Sequence, residues 1–242
     1  TSMIRVPEFD EEKYLVMVTK QGIIKRISLN AYNTARKGGL IALELNEGDE
    51  LAWVRLTDGN QQVVVATKNG LAIRFEETDV RPMGRQARGV KAISLREGDC
   101  VVGMCVVAND DLILTASETG FGRISNVSDY RLQSRGGKGI TNYHTEKYGN
   151  VAAVSAVKLD EDIIIISQEG VIIRIAADTV RICNRPSKGV TLMRIGENDK
   201  VVTVARAPHE DSESEKTEET AEEETSEENT APETNAEENT EE

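Results

Sequence analysis

At 242 residues, 29% charged and 4% aromatic, the chain has room for one large domain or two small ones. The formal charge of −13 is uneven: residues 209–242 hold 16 acids and one lysine, which leaves 28 bases against 26 acids in residues 1–208. No apolar run approaches a membrane span and no signal peptide precedes the body, while Cys100, Cys105 and Cys183 lack metal-ligand spacing. These features exclude a helical membrane protein and a disulfide-stapled secreted scaffold, and suit a reducing cytosol.

In chain order, the opening TSMIRV resembles the segments that close later units: LAWVRL, VVGMCVV, VAAVSAV and VVTVARA. A strand at residues 3–6 is expected, closing a unit whose front part lies elsewhere. Four copies of one pattern follow, over about 10–60, 61–110, 111–162 and 163–208. Each has a glycine after a β-rich run, Gly22, Gly70, Gly120 and Gly170, spaced by 48, 50 and 50 residues. Such a period means blades or stacked units, none able to bury its apolar face alone.

The second copy shows the reading in detail. Val63–Val65 open a β-branched run, and Asn69-Gly70 signals a type I′ hairpin turn. LAIRF alternates, with Leu71, Ile73 and Phe75 on one face and Ala72 and Arg74 on the other. EETDVRPMGRQARGV reads as an exposed loop, KAISL as a strand, Glu97-Gly98-Asp99 as a turn, and VVGMCVV as a buried closing strand. Four or so short strands per unit suggest propeller-like blades. Helix is expected only as a turn or two near Leu29–Tyr32, Thr78–Val80 and Val127–Tyr130. Residues 209–242 have almost no apolar side chains to offset the entropy of ordering, so disorder is expected there.

Enzymatic readings fail first. His144 and His209 are the two histidines, and neither sits in a cluster. Gly136-Gly137-Lys138-Gly139 lacks the upstream glycine of a phosphate loop, and Gly139 stands where a Mg²⁺-binding hydroxyl is needed. The recurring bases are different. Lys25, Arg26, Arg74, Arg123 and Arg174 follow the repeat glycines by three or four residues. Arg36, Arg85, Arg135 and Arg185 follow them by 14 or 15, in glycine-containing loops that also carry Lys37, Arg88, Lys138 and Lys188. Equivalent loops of radially arranged units fall on one rim, and a positive track there is the footprint of a nucleic-acid binder. Exposed aromatic platforms are scarce, which favours duplex over single-strand binding.

Gln133-Ser134-Arg135-Gly136-Gly137-Lys138-Gly139 resembles the glycine-rich box of the DNA gyrase A protein, with Ser134 in place of an arginine. ATKNGLAIRFEETDVRPMGRQARGV and KGVTLMRI are similar to the same C-terminal domain, and the resemblance covers residues 1–208. It implies an all-β fold, a β-pinwheel of four-stranded antiparallel blades that exchange strands: here about four blades plus one strand of a preceding blade. The first blade with its principal box is expected to be missing, the heptad here being a degenerate copy in the fifth blade. The resemblance further implies duplex-DNA wrapping in support of ATP-dependent negative supercoiling. It places ATP on the partner gyrase B protein and Mg²⁺ there and in the cleavage core, none on this chain. It also implies a cytoplasmic, chromosome-associated assembly of two gyrase A and two gyrase B chains. None of Tyr14, Tyr32, Tyr130, Tyr143 or Tyr148 inherits the DNA-attacking role. Two alternatives stand beside it, the equivalent C-terminal domain of topoisomerase IV and a protein-interaction propeller without DNA. The acidic tail reads either as a solubilising terminus or as a tethered competitor for the basic rim.

Overall fold

Each repeat makes an antiparallel hairpin, because a run of β-branched residues meets a glycine that can take positive φ. The computed structural model describes residues 4–6, 9–34 and 38–209. The strands in chain order are β1 (Tyr14–Thr19), β2 (Ile23–Ser28), β3 (Leu51–Thr57), β4 (Gln62–Thr67), β5 (Leu71–Glu76), β6 (Val90–Lys91) and β7 (Val101–Val107). They continue as β8 (Leu112–Ser117), β9 (Phe121–Asn126), β10 (Ile140–Thr141), β11 (Val151–Val157), β12 (Glu161–Ser167), β13 (Ile172–Ala176), β14 (Val190–Thr191) and β15 (Val201–Pro208). They build four small antiparallel sheets, ordered β3-β1-β2-β6, β10-β5-β4-β7, β11-β8-β9-β14 and β13-β12-β15. The fold is all-β, a propeller-like pinwheel. The described residues up to Pro208 form one compact unit. The disorder expected for 209–242 falls, His209 apart, outside the described residues.

The sheet orders show the exchange directly. Strand β6 belongs to the second repeat but pairs with β2 of the first, Val90 opposite Ile24. In the same way β10 joins β5 and β14 joins β9. The inner strands pack against one another, β7 against β3 and β11, and β11 against β15, so the donated two-residue strands lie on the outer perimeter. The five-residue strand expected over KAISL is corrected here. Only Val90–Lys91 pair, and the chain then bends so that Ala92 and Ile93 enter the core.

The core sits between blades. Val63, Val65, Leu71, Ile73 and Phe75 pack with Val16, Val18 and Ile24 of the first blade. Val64, Ala66 and Ala72 face the other way, toward Ile113, Tyr130 and Tyr143 of the third. A further cluster joins Leu114 and Ile124 to Ile163 and Ile165 of the fourth. The alternation read in LAIRF is therefore real, but both faces are buried, because every inner sheet is sandwiched.

The hairpin turn is one residue earlier than expected. Gly70 N–H donates to Thr67 O at 3.1 Å, so Lys68 and Asn69 are the central residues and Gly70, at φ +81°, follows the turn. That is the arrangement of a type I turn with a glycine bulge. Single 3₁₀ turns occupy Leu29–Tyr32, Glu77–Asp79, Val127–Asp129 and Ala177–Thr179, and a four-residue helix, Thr145–Tyr148, is added in the third repeat. Residues 4–6 form no strand, since among the described residues no sheet lies beside them to supply a ladder.

Cys105, on β7, is fully buried in the second inter-blade cluster, and burial pushes its thiol from 9.0 to about 11. A raised acid resists ionising while the unfolded chain ionises freely. Its stability contribution is thus intact below pH 9 and is lost as pH rises through 9 toward 11. At a pH of about 10.5 this group alone should cost about 2 kcal/mol. Thermal melts at about pH 8 and 10.5 are expected to diverge less in Cys105→Ala than in the parent chain.

Candidate nucleic-acid interface

The thirteen basic residues expected to face DNA separate into three groups. Arg36 and Lys37 lie outside the described residues. Lys25, Arg26, Arg74 and Arg123 are buried, and for them the expectation of phosphate contact is corrected. They sit on hairpin strands whose two faces are both covered, so their donors turn to internal acceptors. Lys25 Nζ donates to Ala42 O at 2.8 Å and Arg85 O at 2.6 Å, and burial holds its pKa below the ordinary lysine value. Arg26 stacks 4.0 Å from the Tyr14 ring centroid and lies 3.4 Å from the Glu77 carboxylate. Arg74 donates to Val127 O, Tyr130 O and the Gln62 and Asn109 side chains.

Among the described residues Arg123 has no carboxylate partner. It donates through Nη2 to the backbone oxygen of Asn142 at 2.6 Å and to its Oδ1 at 3.1 Å, with the Tyr143 ring 5.5 Å away. Tyr130 donates its hydroxyl to the same Asn142 Oδ1 at 2.6 Å. Burial lowers the pKa of Arg123 and raises those of Tyr130 and Tyr143.

The remaining bases are on the perimeter. Arg135 donates through Nε to Asp79 O and through Nη1 to Lys91 O, and Arg185 repeats this one blade on, to Asp129 O and Thr141 O. The two arginines thus occupy equivalent places, each clasping the preceding repeat, and among the described residues neither is spent on a carboxylate. Arg85 is half-buried in the corresponding loop. Arg88 is exposed and pairs with Glu44 at 2.8 Å, while Lys188 lies with Nζ 3.6 Å from the Phe121 ring centroid. Arg174 is exposed and bonds Asp162 Oδ2 at 2.6 Å.

The glycine-rich heptad is mainly a backbone clasp. Gln133 N–H donates to Arg74 O, Gly136 N–H to Ala92 O, and Gly136 O and Gly137 O accept from the Ser94 hydroxyl and amide. Within the heptad only Ser134 and Lys138 are exposed.

Sequence reading missed a second series. Arg81, Arg131 and Arg181 each stand 11 residues after their repeat glycine, and all three are exposed. The next residue in each case, Pro82, Leu132 or Ile182, bridges to the outer edge of the preceding hairpin at Arg26, Arg74 or Ile124. The three arginines are therefore rungs at one position on successive blades, and among the described residues none has an ion-pair partner. Their equal spacing was the available signal; without adjacent glycines they did not stand out.

Among the described residues no cluster of His, Cys, Asp and Glu suits a metal, and no helix is long and apolar enough to cross a membrane.

The family model of the DNA gyrase C-terminal domain, a β-propeller, matches residues 13–58, 61–107, 111–158 and 161–208. The DNA gyrase A protein of Clostridium acetobutylicum is 54% identical over 90 residues, 37% of this chain and 11% of that protein. Its counterpart from Halalkalibacterium halodurans is 54% identical over 91 residues, 38% of this chain and 11% of its own length. The aligned stretch thus spans about a tenth of these relatives. Among solved structures, the C-terminal domain of a DNA topoisomerase IV superposes with a TM-score of 0.80 at 26% identity, covering 91% of this chain and 69% of that one. A DNA gyrase A C-terminal domain gives 0.74 at 28% identity, covering 84% and 68%. With the family model matching all four repeats in order, the chain belongs to the DNA gyrase C-terminal domain family.

Proposed function

We propose that the chain binds duplex DNA along its outer perimeter and bends it there, as the wrapping element of a gyrase A protein. The observation that carries this reading is the series Arg81, Arg131 and Arg181, exposed at one position on three successive blades, with Lys138 exposed in the clasp of the third repeat. Backbone-directed cations of this kind grip phosphates without reading bases. Smooth bending of a 20–30 bp segment by 40–90° costs about 1–6 kcal/mol, which several such contacts offset. In this reading ATP hydrolysis belongs to a partner gyrase B protein, and strand cleavage with its Mg²⁺ to the rest of the gyrase A protein. The assembly holds two copies of each in the bacterial cytoplasm. The gyrase A relatives, 54% identical over 90 and 91 residues, support gyrase as the parent, with topoisomerase IV the alternative.

Mobility shift with duplex DNA across a salt series tests the reading. The parent chain should lose affinity linearly in log–log form. Arg81→Ala/Arg131→Ala/Arg181→Ala should bind more weakly on every sequence, with a slope shallower by about 2.7, or about 0.9 per phosphate lost. An unchanged slope in the triple variant would overturn it. Relaxation of bound circular DNA should leave a linking-number change in the parent and a smaller one in the variant.

A further inference from the structure

Each arginine of the exposed series has an apolar companion. The residue after it, Pro82, Leu132 or Ile182, is itself exposed, Leu132 by 48% and Ile182 by 45%. Single exposed apolar residues are ordinary on a protein surface, but here a cation and an apolar side chain recur together at one position of three successive repeats. The backbone there is held firmly. Met83 N–H donates to Arg26 O at 2.8 Å, Gln133 N–H to Arg74 O at 3.0 Å and Cys183 N–H to Ile124 O at 2.8 Å, which sets each pair on the outer edge of a receiving strand. Among the described residues the three guanidinium groups meet no internal acceptor. Each pair is thus fixed at its base and open at its tip.

Gripping phosphates alone has no use for the apolar half of the pair. The apolar surfaces of a duplex are the thymine methyl groups in the major groove and the deoxyribose faces that wall the minor groove. The major groove is about 8.5 Å deep and admits a helix or a two-stranded ribbon, and proline, leucine or isoleucine on a segment flush with a sheet edge does not reach its floor. The walls of the minor groove lie at the duplex surface, within reach of such side chains. A duplex bent toward the perimeter also narrows its inward-facing minor groove, and a narrow groove carries the stronger negative potential that draws arginine in.

We propose that Arg81, Arg131 and Arg181 enter the minor groove where it faces the perimeter, with Pro82, Leu132 and Ile182 resting on the deoxyribose walls beside them. The inference rests on the DNA-binding reading above and deepens it. Set between two phosphate rows, the arginines still displace counterions. They are also sensitive to whatever occupies the groove floor, and the guanine 2-amino group is what distinguishes G·C from A·T pairs there. Duplexes that lack this amino group are therefore preferred, with no contact to a major-groove base edge.

Mobility shift of the whole chain with three duplexes of one length and sequence is the test. The first is unmodified. The second carries inosine for guanine, which removes the 2-amino group and leaves the major-groove edge of the base unchanged. The third carries inosine and also 2,6-diaminopurine for adenine, which puts an amino group back into the minor groove. The parent chain should bind the second about fivefold more tightly than the other two. Arg81→Lys/Arg131→Lys/Arg181→Lys keeps the charge, and so the salt slope, but should lose the preference, because a hydrated ammonium enters a narrow groove poorly. Leu132→Ser/Ile182→Ser should bind the second duplex about threefold more weakly at an unchanged slope. Equal binding of all three duplexes by the parent, with a steep salt slope, overturns the proposal and leaves DNA binding standing. Absence of salt-dependent binding to any of them removes DNA binding itself, and the proposal with it. A preference that survives in the lysine variant also overturns it, since duplex flexibility is then the cause. Parent affinity in the serine variant overturns the part given to the apolar residues.

Discussion

Gly139→Ala is expected to lower the thermal unfolding midpoint by about 6–12 °C, whereas Gly39→Ala should cost about a third of that. The two glycines hold the same place in their repeats and nearly the same backbone, φ +74° and +76°. Either alanine carries the cost of a left-handed conformation, about 1–2 kcal/mol. At Gly139 the methyl would also sit 2.5 Å from Ala72 O and 2.9 Å from Ala72 C, atoms of a receiving strand held by its neighbours on both sides. Forcing that strand away adds about 1–3 kcal/mol and weakens the seating of β10 on β5. At Gly39 nothing lies within 4 Å, so only the conformational cost remains. Melting curves of both variants beside the parent check the pair. Equal losses would mean that backbone strain, not strand seating, sets the demand for glycine.

Arg123→Ala should be as damaging, at about 3–5 kcal/mol, without acting on DNA. The side chain is among the largest fully buried ones, so truncation opens a cavity, and it removes the Nη2 donor from the Asn142 backbone oxygen, while Asn142 Oδ1 keeps the Tyr130 hydroxyl. Arg123→Met fills the same space and removes a cation that burial disfavours, so it should recover much of the loss. Salt-dependent DNA binding of the folded Arg123→Met variant should match the parent. A reduced slope would return this residue to the contact surface.

Much of the architecture was legible because a period near 50 residues, hairpin glycines and β-branched runs are local signals. The exchange was not. A two-residue strand such as Val90–Lys91 has no periodicity of its own, and its partner is a blade away. Nor was burial of Lys25, Arg26, Arg74 and Arg123 legible, since a base in a strand reads as a solvent-facing residue. Nothing local reveals that the sheet is covered on both sides. Glu97-Gly98-Asp99 was read only as a turn, like its counterparts ending at Asp49 and Asp199. In the structure Asp49, Asp99 and Asp199 accept from the backbone amides of Gln21, Asn69 and Glu169, tying each inner turn to its hairpin. The box illustrates the same limit. Its Arg135 was read as part of a positive track, yet the bonds of Arg135, Gly136 and Gly137 clasp the neighbouring repeat, and the open arginine series lies a few residues upstream.

Because apolar packing lies between neighbours and not inside any one unit, the molecule is additive in the way a chain of links is. Inserting or deleting a link changes the total by one shared seam and one cationic rung, with no other seam redesigned. On the DNA-binding reading proposed above, the arc of duplex that such a protein holds is quantised, and evolution can lengthen or shorten it in whole steps while leaving the local chemistry untouched.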